Sequence, residues 1–140
     1  MNTPGAARIH HFGLLVKNIE KFLNQSVWEL RGPIVVDPIQ KARLCLVVPA
    51  GDTGQPLVEL IEALGETSPT WKATVAGQSW HHVCLQVPTM SAGDAYIEEK
   101  RLLAITPWQP AVLFEGRGIR FTCSRNRELL ELLSDEIAMT

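Results

Sequence analysis

Two stretches of the chain alternate hydrophobic and polar positions, a pattern that predicts half-buried β-strands. They are Ile9–Val16 (IHHFGLLV) and Trp80–Val87 (WHHVCLQV). One face of each predicted strand is apolar, formed by Phe12, Leu14 and Val16 in the first and by Val83, Leu85 and Val87 in the second. The opposite face carries polar groups. We therefore expect each strand to be covered by a helix on its apolar side only.

Each of these strands is followed by a segment whose apolar residues have the spacing of a helix. Asn18–Leu30 and Ser91–Leu103 are predicted as the two covering helices, because their apolar residues recur at intervals of three and four. Further strands are predicted at Arg43–Val48, Val58–Ile61, Arg117–Cys123 and Leu129–Leu133. Between the two halves, Ser68 could cap a short helix with Pro69 as its first residue.

The two halves of the chain repeat one another. IHHFGLLV matches WHHVCLQV at four of eight positions with an offset of 71 residues, and LVELIE matches LLELLS with an offset of 72. This period is about half the chain, so we predict two similar modules at about residues 8–64 and 79–135. Each has too little core to fold alone, and we expect them to pack as a single domain spanning residues 1–140. The predicted class is α+β, with strand, helix and three strands in each module.

Composition narrows the function classes. The 140 residues contain 13 Lys and Arg against 15 Asp and Glu, without a basic cluster, which argues against a nucleic-acid or anionic-membrane surface. No apolar run reaches the roughly 18 residues of a membrane span, and the start of the chain lacks an apolar signal core, so we expect a cytoplasmic protein. Three widely spaced cysteines suit reduced thiols better than a disulfide framework.

The repeated positions that carry chemistry are His11 with His82 and Glu59 with Glu131. Each glutamate is flanked by apolar residues on its own strand face, so burial requires a partner for the carboxylate. Two imidazoles and two carboxylates together suit one divalent cation, and the charges balance. The neighbouring His10 and His81 are alternative ligands if the strand face is misassigned. A single histidine in a strand is more often a hydrogen-bonded core residue, and it is the repetition of these positions that favours a metal site.

The segments IHHFGLLV, PLVELIEA, SWHHVCLQV and ELLELLS together resemble the vicinal oxygen chelate superfamily, over nearly the whole chain and in the right order. The resemblance implies two βαβββ modules whose mixed sheets curl around a metal-binding groove, with ligands at His11, Glu59, His82 and Glu131. The implied cofactor is one divalent ion, Zn, Ni, Co, Mn or Fe. Homodimers are common in the superfamily, and we expect one here.

Within the superfamily the chain is most similar to the methylmalonyl-CoA epimerases. This resemblance implies a metal-dependent isomerase or epimerase that stabilises an enolate by bidentate chelation of substrate oxygens, possible substrates including an acyl-CoA. Glu131 is the candidate proton carrier. Leu44 stands where those epimerases usually have a second glutamate base, with Gln40 and Arg43 the nearest polar residues. The alternatives are a lyase of the glyoxalase I type and an antibiotic-binding protein without catalysis.

Arg117 and Gln86 are the candidate substrate-binding residues. Arg117 lies between two glycines near other arginines and could hold an anionic group, although a solvated turn has the same pattern. Gln86 alternates with His82 and could donate a hydrogen bond to substrate, or be a buried structural amide. Trp71 and Trp108, in predicted loops, are candidates for a lid, and Cys84 for a pocket-lining residue.

Overall fold

The computed structural model describes residues 7–24, 26–51 and 56–138. These residues form ten β-strands, three α-helices and a short 3-10 helix at Val112–Phe114. The strands are β1 Arg8–Leu15, β2 Trp28–Leu30, β3 Val35–Asp37, β4 Ala42–Pro49, β5 Leu57–Ala63, β6 Trp80–Val87, β7 Leu103–Ala104, β8 Gln109–Ala111, β9 Arg117–Cys123 and β10 Leu129–Ile137. The helices are α1 Ile19–Asn24, α2 Trp71–Val75 and α3 Met90–Lys100.

The chain divides into two compact units, one of which spans residues 11–81. Its strands run in the order β2-β4-β5-β1, and β3 also pairs with β4. β1 and β5 are parallel, while the other pairs are antiparallel. A buried core packs on the face that α1 covers: Leu14, Val16, Ile19, Cys45, Val47, Val58 and Leu60. This core contains alternate residues of each strand, as the predicted alternation requires.

The second unit contains residues 82–138 together with residues 7–10. Its strands run in the order β6-β10-β9-β7, and β8 also pairs with β9. β6 and β10 are parallel, and the other pairs are antiparallel. The helix α3 begins after Thr89, whose hydroxyl accepts a hydrogen bond from the Ala92 amide at 2.9 Å, and ends at Arg101 in the left-handed conformation.

The predicted α+β class is confirmed: the sheet is mixed, few helices accompany it, and it does not close. Each unit follows the predicted order of strand, helix and further strands, with an additional short strand in each. Both short strands of a unit pair with the same long strand, β4 in one unit and β9 in the other.

The predicted helix Asn18–Leu30 is wrong in its second half. The helix α1 ends at Asn24, and Trp28–Leu30 is a strand paired with β4. The hydroxyl of Ser26 accepts a hydrogen bond from the Trp28 amide, a local turn that competes with helix continuation. The helix expected at Ser68 instead begins at Trp71, with Thr70 as the preceding residue.

In the part of the chain that the structure describes, no helix has both the length and the apolar character that crossing a membrane requires.

Candidate functional site

Two of the predicted ligands, His11 and Glu59, lie in adjacent parallel strands. Glu59 on β5 is paired with Gly13 on β1, and His11 precedes Gly13 by two residues, which places its side chain on the same face. The Nε2 atom of His11 lies 3.4 Å from Oε1 of Glu59. His11 is fully buried and Glu59 is 4% exposed. The alternation of the sequence therefore places both groups on the face opposite the α1 core.

The other two predicted ligands, His82 and Glu131, have the same arrangement in the other unit. Glu131 on β10 is paired with Cys84 on β6, and His82 precedes Cys84 by two residues. The Nε2 atom of His82 lies 3.2 Å from Oε1 of Glu131. Both residues are buried, and the Phe121 ring packs edge-on against the His82 imidazole with ring centroids 5.6 Å apart.

The repeat seen in the sequence is thus a repeat of register. In both units the histidine is two residues before the strand position that pairs with the glutamate, on parallel strands. Buried His and Glu side chains are among the groups that bind divalent first-row metals, and these four are candidate metal ligands by their chemistry and burial. A carboxylate taken out of water needs a compensating positive charge or hydrogen bonds, which a cation supplies.

The adjacent histidines of the two doublets are arranged differently. His10 is only half-buried, and its ring packs edge-on against Phe114 with the centroids 5.2 Å apart. His81 is also half-buried. In each doublet it is the second histidine that contacts a glutamate, as the parity of the strand positions predicts.

Arg43, the residue before Leu44, does not face the Glu59 side of the sheet. Leu44 is buried and pairs with Ile61, two residues beyond Glu59. Arg43 points to the other face, where it forms ion pairs with Glu20 of α1 and Glu62 of β5. Strand alternation therefore separates Arg43 from Glu59, although it is next to Leu44 in the sequence.

The Arg43 network is structural. The hydrogen bond between Arg43 and Glu20 raises the pKa of Arg43 and lowers the pKa of Glu20 to about 2. Glu62 also accepts a hydrogen bond from the Ile19 amide at 2.9 Å, which satisfies a donor at the first turn of α1. The network fixes the start of the helix over the core.

Gln86 and Arg117, the predicted substrate-binding residues, both contact a residue that the sequence analysis did not identify. Asp135 Oδ1 accepts hydrogen bonds from Gln86 Nε2 at 2.7 Å and from Arg117 Nη2 at 2.8 Å. β10 continues to Ile137, beyond the predicted end of the strand at Leu133, and its register against β9 shifts between these two residues. The strand pattern of the sequence contains no signal for Asp135.

The two tryptophans that were lid candidates lie in different settings, and Trp108 packs against α3. Trp108 donates a hydrogen bond to Asp94 on α3 at 2.8 Å, and its ring lies against Gly93, where an added Cβ would be 2.6 Å from the ring. Trp71 is the half-buried first residue of α2. Trp108 thus packs against α3.

Two of the three cysteines are fully buried, on different faces of their strands. Cys84 is fully buried on the face of His82, and Cys45 is fully buried in the α1 core. Burial raises the pKa of the Cys45 thiol to about 11, and the negative charge of Glu59 adds to this effect. Cys45 is therefore a neutral thiol at physiological pH.

Comparison with known proteins identifies the fold. No family model matches the sequence, and no curated protein matches it. Among solved structures, a hypothetical protein from Bacillus halodurans C-125 matches with a TM-score of 0.78 and 22% identity, over 96% of this chain and 99% of that one.

Two methylmalonyl-CoA epimerases also match over most of their length. The enzyme from Mycobacterium tuberculosis has a TM-score of 0.75 and 17% identity, over 99% of this chain and 93% of that one. A variant of the Streptomyces coelicolor enzyme, in complex with 2-nitronate-propionyl-CoA, has a TM-score of 0.71 and 21% identity, over 91% and 96%. These matches confirm the predicted fold, which is similar to that of the methylmalonyl-CoA epimerases.

Proposed function

We propose that the chain is a metal-dependent isomerase or epimerase that moves a proton at a carbon adjacent to a carbonyl. The observation that carries this proposal is the buried His–Glu contact formed twice at one register, His11 with Glu59 and His82 with Glu131. We assign these four residues as the ligands of one divalent ion, which can be Zn, Ni, Co, Mn or Fe.

The donor set fits such an ion. Two neutral imidazoles and two carboxylates match the charge of a divalent cation, and the four residues are buried, which keeps competing water away. Such an ion, when bound, supplies Lewis-acid stabilisation of an enolate oxygen. Nitrogen and oxygen donors of this kind suit several first-row metals, and the ligand types alone do not select one.

Glu131 is the residue that we propose to carry the proton. Its carboxylate is 3% exposed, and its Oε1 atom lies 3.2 Å from Nε2 of His82. The equivalent of the second base, Leu44, is apolar and buried. With no second carboxylate at Leu44, proton removal and return both depend on the glutamates of the two pairs.

The proposed substrate is a carboxylated thioester such as an acyl-CoA. The match to methylmalonyl-CoA epimerases over at least nine-tenths of the chain supports this class. The apolar Leu44 favours a second candidate, a lyase of the glyoxalase I type, since that reaction does not require protonation on both faces of a carbon. We also propose that the protein is a cytoplasmic homodimer; light scattering in solution tests the dimer.

Elemental analysis tests the metal assignment. We expect about one divalent ion per chain in the wild type and loss of that ion in Glu131→Gln and Glu59→Gln. The matched control is Glu62→Gln, which changes another buried glutamate of β5 on the opposite face and should keep the metal. Circular dichroism establishes that each variant is folded. A metal-free wild type, or full metal in both ligand variants, contradicts the assignment.

Deuterium incorporation in heavy water tests the reaction. We expect the metal-loaded protein to exchange the α-proton of methylmalonyl-CoA, and Glu131→Gln to lose this activity. Exchange of a glutathione hemithioacetal without any thioester exchange would instead support the lyase. Metal binding without either reaction would indicate a binding protein of the same fold.

A further inference from the structure

Three side chains form a polar cluster in the unit of residues 82–138: Gln86 on β6, Arg117 on β9 and Asp135 on β10. Asp135 Oδ1 accepts hydrogen bonds from both of the others, and Arg117 Nε also donates to the backbone oxygen of Ser134 at 3.0 Å. The Asp135 side chain is 52% exposed and that of Arg117 is 24% exposed. The cluster is thus held by three strands and is open to solvent on one side.

The cluster lies on the same sheet face as His82 and Glu131. Gln86 is four residues beyond His82 on β6, so its side chain lies on the His82 face of the strand. Asp135 lies where the register of β10 against β9 shifts, between Leu133 and Ile137, and its contact with Gln86 places its carboxylate on that face. At about 3.3 Å per residue, the cluster lies about 13 Å along the strands from the His82–Glu131 pair.

The cluster occurs in only one of the two repeated units. In the parallel-strand register that the two units share, Leu15 of β1 stands at the position of Gln86 on β6. The antiparallel pairs differ here, because Ala42 pairs with Ala63 whereas the β9–β10 register shifts and Arg117 pairs with Ile137. Leu15, Ala42 and Ala63 are all apolar, and Leu15 and Ala42 are buried. The His–Glu pairs are therefore repeated but the polar cluster is not. An asymmetric substrate requires such a difference, because its reacting end and its tail are chemically distinct.

The chemistry of the cluster favours a neutral polar ligand over an anion. The Asp135 carboxylate balances the charge of the Arg117 guanidinium. Arg117 uses two of its five N–H donors in the bonds described above, and a carboxylate has a second oxygen that can accept. A group that both accepts and donates hydrogen bonds, such as an amide, matches this combination.

We propose that Gln86, Arg117 and Asp135 bind an amide in the tail of the substrate, a proposal that rests on the proposed thioester chemistry. The pantetheine arm of coenzyme A contains two amides. In an extended arm the more distant amide lies roughly 10 Å beyond the sulfur, from bond lengths near 1.5 Å. That span is comparable with the distance from the His82–Glu131 pair to the cluster.

Thioesters of two lengths test the proposal. We compare deuterium exchange of methylmalonyl-CoA with that of methylmalonyl-N-acetylcysteamine, which keeps only the amide nearer the sulfur. We expect Asp135→Ala and Gln86→Leu to lower kcat/KM for the CoA thioester about tenfold, mainly through KM, and to leave the short thioester unchanged. Gln86→Leu introduces the residue that the other unit has at this position. Equal effects on both thioesters, or no effect, would overturn the proposal.

Asp94→Ala is the matched control. Asp94 also accepts a hydrogen bond from an arginine at 2.8 Å, and its side chain is 51% exposed, but it lies on α3. We expect its kcat/KM values to match those of the wild type for both thioesters.

Calorimetric binding of free coenzyme A separates this proposal from the proposed reaction, because it needs no turnover. If the wild type exchanges neither thioester, the reaction is wrong. The cluster is still supported if Asp135→Ala binds coenzyme A about tenfold more weakly than the wild type. Equal binding, no binding to the wild type, or tighter binding by the variant would overturn it. Tighter binding would mean that Arg117 holds an anion once Asp135 is removed.

Discussion

The contact between Trp108 and α3 gives a prediction whose sign can be worked out from the structure. A Cβ atom at Gly93 would lie 2.6 and 2.7 Å from two carbons of the Trp108 ring, and 3.4 Å from the Val87 side chain. Carbon atoms in contact are normally about 3.5 Å apart or more. Gly93→Ala therefore requires the ring to move by about 0.9 Å, using the normal carbon separation.

Three contributions determine the size of the effect. Alanine in a helix interior is more favourable than glycine by about 1 kcal/mol. Overpacking of a filled site costs about 1–3 kcal/mol. The displaced ring also weakens the hydrogen bond from Trp108 to Asp94, now 2.8 Å long, at a cost of about 1 kcal/mol. We expect Gly93→Ala to lower the free energy of unfolding by about 1–3 kcal/mol.

Urea unfolding followed by circular dichroism measures this change. The matched control is Ser91→Ala, at an exposed position of the same helix, which should change stability by less than about 0.5 kcal/mol. A double-mutant cycle gives the sharper result. In a Trp108→Ala background the steric conflict is absent, and Gly93→Ala should stabilise by about 1 kcal/mol. A stabilising Gly93→Ala in the wild-type background would refute the reasoning.

Two further predictions concern titratable groups outside the candidate site. Alkylation of the native protein at pH 8 should label Cys123 first, because Cys45 and Cys84 are fully buried. Burial also raises the pKa of the Cys45 thiol to about 11. Rapid labelling of Cys45 in the native protein, detected by peptide mass spectrometry, would contradict this prediction. For Glu20, Arg43 lowers the carboxyl pKa from 4.5 to about 2, so its stabilising contribution is complete above pH 5 and is lost as the pH falls towards 2. Urea unfolding of the wild type and Glu20→Gln should therefore differ slightly at pH 7 and converge at pH 2, and the difference should be small because Glu20 is exposed.

The sequence alone predicted the repeat, the sheet face of each histidine and the four candidate ligands. The faces follow from alternation along a strand, which is a local property: a side chain two residues away is always on the same face. His11 and His82 could be distinguished from His10 and His81 for that reason. The contacts of His11 with Glu59 and of His82 with Glu131 depend instead on the register of the parallel strands.

Other features depend on pairing between segments that are distant in the sequence, and only the folded structure shows them. Trp28–Leu30 is a strand because β4 supplies its partner, although the local pattern favoured a helix. Trp108 packs on α3 because Gly93 leaves room for its ring. Asp135 on β10 contacts Gln86 on β6 and Arg117 on β9, so the cluster combines three different strands. Such contacts join residues far apart in the chain, and the spacing of residues along one segment carries no information about them.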